Sequence, residues 1–424
     1  MEFEEQKKYL KVLKKELIPA MGCTEPIAVA YTAAICGKYL EKNAERMVVA
    51  CSSNIIKNAG SAFVPHTGGR KGIQAAAAAG LLAGNPDKKL EVLAELTDRD
   101  VERIDGFCKA NLCTVKRIDS DHLLHILVTV SNSEETVTAE VIDAHTNLIR
   151  VSKNGNIVFE KDSQFKEETE DIDDRFLTVN GILQFCESVN ISEIKELIDK
   201  QINYNMAIAK EGLSGKYGVA IARCYDQNNI LQKMKAYTAA ASEARMSGCE
   251  LPVVINSGSG NQGIAVSVPV IVYAYEMGVE KNELYRALVL SNLLAIHQKT
   301  GIGKLSAFCG AVSATCASGA AISYLRTKGD WGAVRRTIKN TLANTSGIIC
   351  DGAKPSCAAK ITSGLEGAML GCRLSENHRE YCANDGIVKY TVEDTIDAVA
   401  RIARIGMAET DKVVFDVLLE KSER

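Results

Sequence analysis

LLHILVTVSNSEETVTAEVIDAHTNLIRVSKNGNIVFE, residues 123–160, is the stretch that decides the fold class. Its β-branched and aliphatic residues alternate with polar ones, a pattern typical of strands that bury one face. The tripeptide NGN at 154–156 is typical of a tight hairpin turn. Together with LCTVKRI at 112–118, the stretch predicts an antiparallel β-meander over residues 112–160.

The segments on either side of this meander have helical patterns. Residues 4–18 are amphipathic, residues 24–40 are mostly apolar and residues 74–84 are rich in alanine. Residues 47–56 predict a β-rich segment, and the chain beyond 176 predicts mainly helices. The predicted fold class is therefore α+β: an N-terminal half with a small antiparallel sheet plus helices, and a C-terminal half that is mainly helical.

The acidic run KDSQFKEETEDIDDR, residues 161–175, predicts a linker between two domains. The first domain, 1–175, would hold the β-meander and mixed helices, and the second, 176–424, would be mainly α-helical. Candidate site residues come from both ranges, so we expect the site between them.

Composition narrows the classes of function. The net charge of −3 gives no electrostatic reason to expect nucleic acid or an anionic membrane as a partner. The sequence has no uninterrupted run of 18 apolar residues, so we expect no membrane span. The first ten residues, MEFEEQKKYL, lack the apolar region of a secretory signal. Fourteen cysteines in such a chain are therefore expected in a reducing cytoplasm, as buried groups, nucleophiles or metal ligands.

Four cysteines lie in segments that predict turns. ICDGAKPSCAAK at 349–360 carries Cys350 and Cys357, and its glycine and proline disfavour an uninterrupted helix. AFCG supplies Cys309 and MGCTEP supplies Cys23. Soft thiolates select iron–sulfur clusters, zinc or copper(I), so the pattern predicts a thiolate-bound metal centre. The spacings match neither the ferredoxin pattern nor paired zinc knuckles.

Other cysteines lie in apolar or helical surroundings, where we expect small core residues. They are Cys36, Cys51, Cys186, Cys224, Cys249 and Cys372.

Polar segments supply further candidates. SGSGNQG at 257–263 follows a β-like segment and precedes a helix, so its backbone N–H groups could hold a carboxylate or phosphate. Residues 52–72 gather Asn54, Lys57 and His66 among glycines, a composition that suits an amino-acid carboxylate. Lys304 lies just before Cys309 and could point to the same site.

Taken together, PAMGCTEPIA, NAGSAFVPHTGG, NSGSGNQG, GIGKLSAFCGAVSA and SGIICDGAKPSCAAK resemble the L-cysteine desulfidase family, relatives of the iron–sulfur-dependent L-serine dehydratases. The resemblance runs from residue 19 to 360. It implies a [4Fe–4S] cluster with one open iron, ligated by Cys309, Cys350 and Cys357 of the second domain. Two roles are open for Cys23: a fourth, displaceable ligand, or an acid/base group.

The resemblance implies a carbon–sulfur lyase that converts L-cysteine to pyruvate, ammonia and sulfide without pyridoxal phosphate. An open iron would act as a Lewis acid on the leaving sulfur while a base removes the α-proton. The candidate catalytic residues are Cys23, His66 and Lys304. The candidate substrate-binding residues are Asn54, Lys57, Gly258, Ser259, Gly260, Asn261 and Gln262.

Three alternatives remain at this stage. An L-serine dehydratase would use the same cluster on a hydroxyl leaving group. A non-catalytic iron–sulfur or redox sensor would use the glycine-rich pocket for an effector, although no DNA-reading module is recognisable. A zinc-stabilised helical scaffold would be expected to show close CxxC pairs. A homo-oligomer is plausible, but the sequence indicates no interface.

Overall fold

The computed structural model describes residues 3–161, 176–303 and 305–420, without the side chain of Leu419. Residues 162–175, most of the predicted linker, and Lys304 lie outside the described residues. The fold class is α+β, as the sequence predicts. A sheet with helices forms the N-terminal half, and the C-terminal half is mainly helical.

The elements have the following bounds. The helices of the N-terminal half are α1 (Phe3–Glu16), α2 (Thr24–Tyr39), α3 (Ser53–Ala59), α4 (Gly72–Ala83) and α5 (Asp98–Lys109). The strands are β1 (Pro19–Ala20), β2 (Arg46–Cys51), β3 (Cys113–Arg117), β4 (His125–Ser131), β5 (Thr136–Ile142), β6 (Leu148–Lys153), β7 (Asn156–Glu160) and β8 (Val253–Val254). The helices of the C-terminal half are α6 (Val179–Ser188), α7 (Ile191–Gly212), α8 (Ile230–Met246), α9 (Gly260–Met277), α10 (Lys281–Ile302), α11 (Gly310–Arg326), α12 (Trp331–Thr345), α13 (Cys357–Glu376), α14 (Val392–Arg401) and α15 (Ala408–Leu419).

The main sheet has the strand order β3–β2–β4–β5–β6–β7. Strands β4 to β7 form the predicted antiparallel meander, and β6 and β7 are joined at residues 154–155. The helix α2 covers β4 and β5, which explains why alternate residues of these strands are buried.

The prediction that residues 112–118 belong to the antiparallel meander is wrong. Strand β3 lies at the far edge of the sheet and runs parallel to β2, with Met47 opposite Cys113 and Cys51 opposite Arg117. Parallel neighbours need a long crossover, and α3, α4 and α5 provide it. Alternation of residue types reveals a strand but not its direction, so the sequence could not separate the two arrangements.

The β-rich segment predicted at 47–56 is also shorter than expected. Strand β2 ends at Cys51, and Ser52 begins α3 with extended backbone while its carbonyl accepts from Ile56 N at 3.1 Å. The helix prevails over the β propensity of the isoleucines that follow, although the Ser52 hydroxyl does not cap it and instead donates to Leu123 O at 2.8 Å. Consequently Asn54 and Lys57 lie on a short helix.

Small residues let α2 and α4 cross in close contact. Gly80 of α4 lies against the backbone of Ala30 in α2, where an added Cβ would stand 2.0 Å from the Ala30 carbonyl oxygen. Only glycine fits at this distance. The alanine-rich sequence of α4 therefore serves close packing between helices beside the sheet.

The core of the C-terminal half contains two helices, α9 and α11, that are buried on all sides over most of their length. Residues Gly260–Ala274 of α9 and Ala311–Ser323 of α11 are all buried. Within the described residues, no helix is long and apolar enough to cross a membrane.

One predicted core cysteine is exposed: Cys224 ends a short 3-10 turn, Ile221–Cys224, between α7 and α8, so its predicted burial is wrong.

A two-stranded pairing joins the two halves of the chain. Strand β1 pairs antiparallel with β8, with Pro19 opposite Val254, and Ile255 N donates to Ile18 O at 2.9 Å. The strand β1 leads directly into α2, and β8 leads into α9. This pairing therefore places the beginnings of two distant helices side by side.

Candidate active site

The N-termini of α2, α9, α11 and α13 meet around one small cavity of about 90 Å³. Cys23, Ser259 and Cys309 are the residues that precede α2, α9 and α11, and Cys357 is the first residue of α13. None of these four helix starts has a side-chain cap in the described structure. Because helix N-termini carry partial positive charge, the cavity favours anionic groups.

Three cysteines form one wall of this cavity. The segments around Cys309 and Cys350 are held together by an antiparallel bridge, in which Cys309 N donates to Ile348 O at 3.0 Å and Cys350 N donates to Ala307 O at 2.6 Å. Cys357 lies on the same wall, and its thiol donates to Gly352 O at 3.5 Å. Two segments 40 residues apart are thus fixed beside each other by backbone hydrogen bonds.

The predicted turn between Cys350 and Cys357 is present, and α13 begins only at Cys357. Gly352 has a φ of +96°, and an added Cβ would stand 2.6 Å from the carbonyl oxygen of Lys57. A side chain would be both strained and obstructed there. Gly352 therefore lets the cysteine-bearing loop lie directly against α3.

Burial dominates the acid–base behaviour of the cysteine wall. It raises the pKa of Cys309 to about 12, and the neighbouring Cys350 adds to this rise. Burial also raises the pKa of Cys357, although a backbone hydrogen bond at Lys354 opposes the shift. Such thiols stay protonated at neutral pH unless a bound cation takes the place of the proton.

The same cavity is lined by a half-buried carboxylate, Glu25. Its two oxygens accept from Cys23 Sγ at 3.1 Å, Thr24 Oγ1 at 3.1 Å and Asn58 Nδ2 at 2.9 Å. Burial acts to raise the pKa of Glu25, but the charge of His145 and these hydrogen bonds outweigh it, and the pKa lies below its ordinary value. Burial and the adjacent Glu25 raise the pKa of Cys23 well above the ordinary value.

Three cationic side chains line the same cavity: Lys57, Arg245 and Lys299. Lys57 forms an ion pair with Asp411 of α15. Burial lowers the pKa of Arg245 and of Lys299, and nearby thiols and Glu25 oppose this effect. These cations and the helix N-termini supply positive charge around the cavity, which Glu25 and Asp411 partly balance.

Several predicted substrate-binding residues reach the cavity. Ser259, Asn261, Gln262 and Lys57 line it together with all four predicted cysteines. The cavity thus brings together segments that lie far apart along the chain.

Other predicted residues lie elsewhere. Asn54 lines a neighbouring cavity of about 560 Å³ that shares Lys57 with the small one, and Gly258 lines another of about 610 Å³ that shares Glu25. His66 does not line the small cavity; its Nδ1 lies 3.4 Å from Glu250 Oε2. Lys304 lies outside the described residues.

Three charged residues that the sequence prediction left out of the site also line the cavity: Glu25, Arg245 and Lys299. Their local sequence gave only a weak signal, a charged residue next to an apolar or alanine-rich run. Arg245 follows an alanine-rich run in α8, and Lys299 ends the apolar run of α10. Charged residues are seldom buried without a partner or a function.

Across the described ranges, no group of three or more histidine, cysteine, aspartate or glutamate side chains is arranged to hold a single metal ion. The cysteines of a multinuclear cluster each bind a different iron, so they stand further apart than ligands of one ion.

Comparison with known proteins shows the family to which the chain belongs. A family profile of the lyase type matches residues 87–416, and its description is "Serine dehydratase alpha chain". The chain belongs to the serine dehydratase alpha chain family.

The chain is also similar to UPF0597 proteins of several bacteria. It is 45% identical over 419 residues to UPF0597 protein DSY1109 of Desulfitobacterium hafniense, covering 97% of this chain and 96% of the relative. It is 45% identical over 421 residues to a UPF0597 protein of Lachnoclostridium phytofermentans, covering 97% and 99%. For a UPF0597 protein of Bacteroides fragilis the identity is 36% over 429 residues, covering 98% and 99%.

Proposed function

We propose that this protein is an L-cysteine desulfidase, a lyase that eliminates sulfide from L-cysteine and yields pyruvate and ammonia. One observation carries the proposal: four cysteines and three cationic side chains surround a single small cavity at four helix N-termini. Membership of the serine dehydratase alpha chain family supports the reaction type.

The donor set fits a [4Fe–4S] cluster. Cys309, Cys350 and Cys357 would hold it, since they share one wall and supply three soft thiolates. Buried cations lie beside these cysteines: Lys299 is near Cys309 and Cys350, and Arg245, whose Nε has no hydrogen-bond partner among the described residues, is near Cys357. When bound, an iron with a free coordination position supplies a Lewis acid for a sulfur leaving group.

The remaining chemistry falls to side chains of this chain. The elimination removes the α-proton and the β-sulfur of the substrate, and the resulting enamine hydrolyses to pyruvate and ammonia. Cys23 is the candidate acid/base group, because it lines the cavity and its thiol donates to Glu25. Glu25 orients that thiol, and Asn58 and Thr24 hold Glu25 in place. His66 lies outside the cavity wall, so the proposal does not give it this role.

A second candidate follows from the family itself. The matched profile describes serine dehydratases, whose leaving group is a hydroxyl, and the cavity residues do not by themselves exclude serine. Sulfur or oxygen affinity at the metal would then decide between the two substrates.

Anaerobic reconstitution with iron and sulfide tests both candidates. We expect about four iron and four sulfide per chain, a broad iron–sulfur absorption band, and equal sulfide and pyruvate from L-cysteine. Cys350→Ser should lose the absorption band and the turnover together. Pyruvate from L-serine alone would shift the assignment to a serine dehydratase.

Two variants separate the cavity residues from their neighbours. Cys23→Ala should keep the absorption band and reduce turnover by about 10²-fold or more, the typical contribution of an acid/base group. His66→Gln serves as the matched control and should stay within about twofold of the parent. Iron-free protein that turns over L-cysteine at the same rate would refute the role of the cluster, and reconstituted protein that releases no sulfide from L-cysteine would refute the desulfidase.

A further inference from the structure

Among the three cations of the cavity, Arg245 carries a buried donor that has no partner in the described structure. Lys57 is already paired with Asp411. Burial lowers the pKa of Lys299, and the nearby Cys350 and Cys309 oppose this effect, so Lys299 lies beside the cysteine wall. The hydrogen bonds that the described structure gives Arg245 both come from Nη1, to Asn261 Oδ1 at 3.3 Å and to the sulfur of Met246 at 4.0 Å.

Arg245 is also deeply buried. Only 3% of the residue is exposed, and within the described chain its Nε has no hydrogen-bond partner. A guanidinium presents five N–H donors in a planar fork that matches a carboxylate. Burying such a group with open donors is costly unless a ligand completes its hydrogen bonds.

The first turn of α9 lies directly against this guanidinium. A Cβ added to Gly260 would stand 2.2 Å from Arg245 Nε, so glycine is what permits the contact. The helix has 18 residues, and Ser259 does not cap its first turn with its side chain. Arg245 and the backbone N–H groups of this turn therefore offer adjacent donors at the cavity wall.

Acceptor groups lie elsewhere on the cavity wall. Asn58 Oδ1 is buried and has no partner in the described structure, while its Nδ2 donates to Glu25. An α-amino acid carries one anionic and one cationic group on the same carbon. The cavity supplies donors for the first, acceptors for the second, and the cysteine wall for the side chain.

We propose that Arg245, with the first-turn N–H groups of α9, binds the α-carboxylate of the amino-acid substrate. This inference rests on the proposed function. The fork of Arg245 would orient the carboxylate through paired hydrogen bonds, and Gly260 would keep the guanidinium and the helix in contact. Selection for amino acids over simple thiols would follow from this contact.

Two ligands that each lack one charged group test the inference by calorimetry on the anaerobic, reconstituted protein. 3-Mercaptopropionate has the thiol and the carboxylate, and cysteamine has the thiol and the ammonium. Arg245→Gln should lower the binding affinity for 3-mercaptopropionate by about 10- to 100-fold, the effect of losing hydrogen bonds to a charged group. Cysteamine affinity should change by less than about twofold.

Three further variants sharpen the comparison. Arg245→Lys should recover only part of the carboxylate affinity, since lysine lacks the fork. Asn261→Asp places a carboxylate beside the guanidinium and should weaken 3-mercaptopropionate selectively, which keeps the test available if Arg245→Gln does not fold. Arg373→Gln, on the half-exposed surface of α13, is the matched control and should change neither affinity.

The outcomes separate this inference from the proposed function. Equal loss of both ligands in Arg245→Gln would mean a structural role and would overturn the inference, as would no loss of 3-mercaptopropionate. A selective loss in a protein that does not turn over L-cysteine would support the carboxylate site and refute the desulfidase. Turnover of L-cysteine with carboxylate binding independent of Arg245 would do the reverse.

Discussion

The same substitution, glycine to alanine, should have opposite effects at two helical positions of the N-terminal half. Gly80 of α4 faces the backbone of α2, and an added Cβ would stand 2.0 Å from the Ala30 carbonyl oxygen and 2.7 Å from its Cα. Gly106 of α5 is exposed, and an added Cβ would meet nothing within 4 Å. Helix propensity favours alanine at both positions by about 1 kcal/mol.

At Gly80 the obstruction is larger than this gain. The atoms in the way belong to a helix backbone, which cannot rotate aside as a side chain can, so α4 must move away from α2. Overpacking of this kind costs about 1–3 kcal/mol, sometimes more. We therefore expect Gly80→Ala to lower the free energy of unfolding by about 2 kcal/mol. Gly106→Ala should raise it by about 0.5–1 kcal/mol.

Urea unfolding followed by circular dichroism measures both effects as midpoint shifts against the parent protein. The midpoint should fall for Gly80→Ala and rise for Gly106→Ala, with similar slopes. A Gly80→Ala protein as stable as the parent would show that the α2–α4 contact is looser than described, and the packing argument would fail.

Two further predictions concern charged groups. Asp411→Asn leaves Lys57 buried without its counter-charge and should cost about 2 kcal/mol in urea unfolding, less than the ~3–5 kcal/mol of a fully buried pair because Asp411 is 21% exposed. Glu409→Gln, in an exposed pair on the same helix, is the control and should stay within about 0.5 kcal/mol, and equal losses would contradict the assignment. Hydrogen bonding from Lys153 lowers the pKa of Glu135 to about 2, so its contribution is complete above its unfolded pKa of about 4.3 and is lost as the pH falls through about 2. The urea midpoint of Glu135→Gln should therefore lie below that of the parent at pH 7, and the gap should narrow below about pH 4.5; a gap that stays constant down to pH 3 would contradict this.

Sequence patterns carried the local part of the fold. The alternation in residues 123–160 predicted strands because each strand buries one face, and α2 and α4 were predictable from their apolar and alanine-rich runs. The parallel place of β3 was not predictable, because pairing direction depends on the crossover path. Local signals also extended the predicted β-rich segment past the end of β2 and into residues that form α3.

The candidate site shows the same division. Cys309, Cys350 and Cys357 could be selected because they stand next to turn-forming residues, and these cysteines do line one cavity. Glu25 and Arg245 lie in helical segments whose patterns predict packing alone. Their roles depend on the β1–β8 pairing and on the close contact at Gly260, and a sequence pattern contains neither.

The distance along the chain between the cavity residues has a consequence for biosynthesis. The wall begins at Cys23 and is complete only when Cys357 and the loop before it are present. During translation the N-terminal half can start to fold early. The cavity, however, cannot form until more than three hundred further residues have been synthesised. A cofactor that needs all three cysteines of the cysteine wall can therefore bind only when the chain is nearly complete. Until it binds, degradation of the incomplete protein would compete with cofactor insertion and with the final folding step.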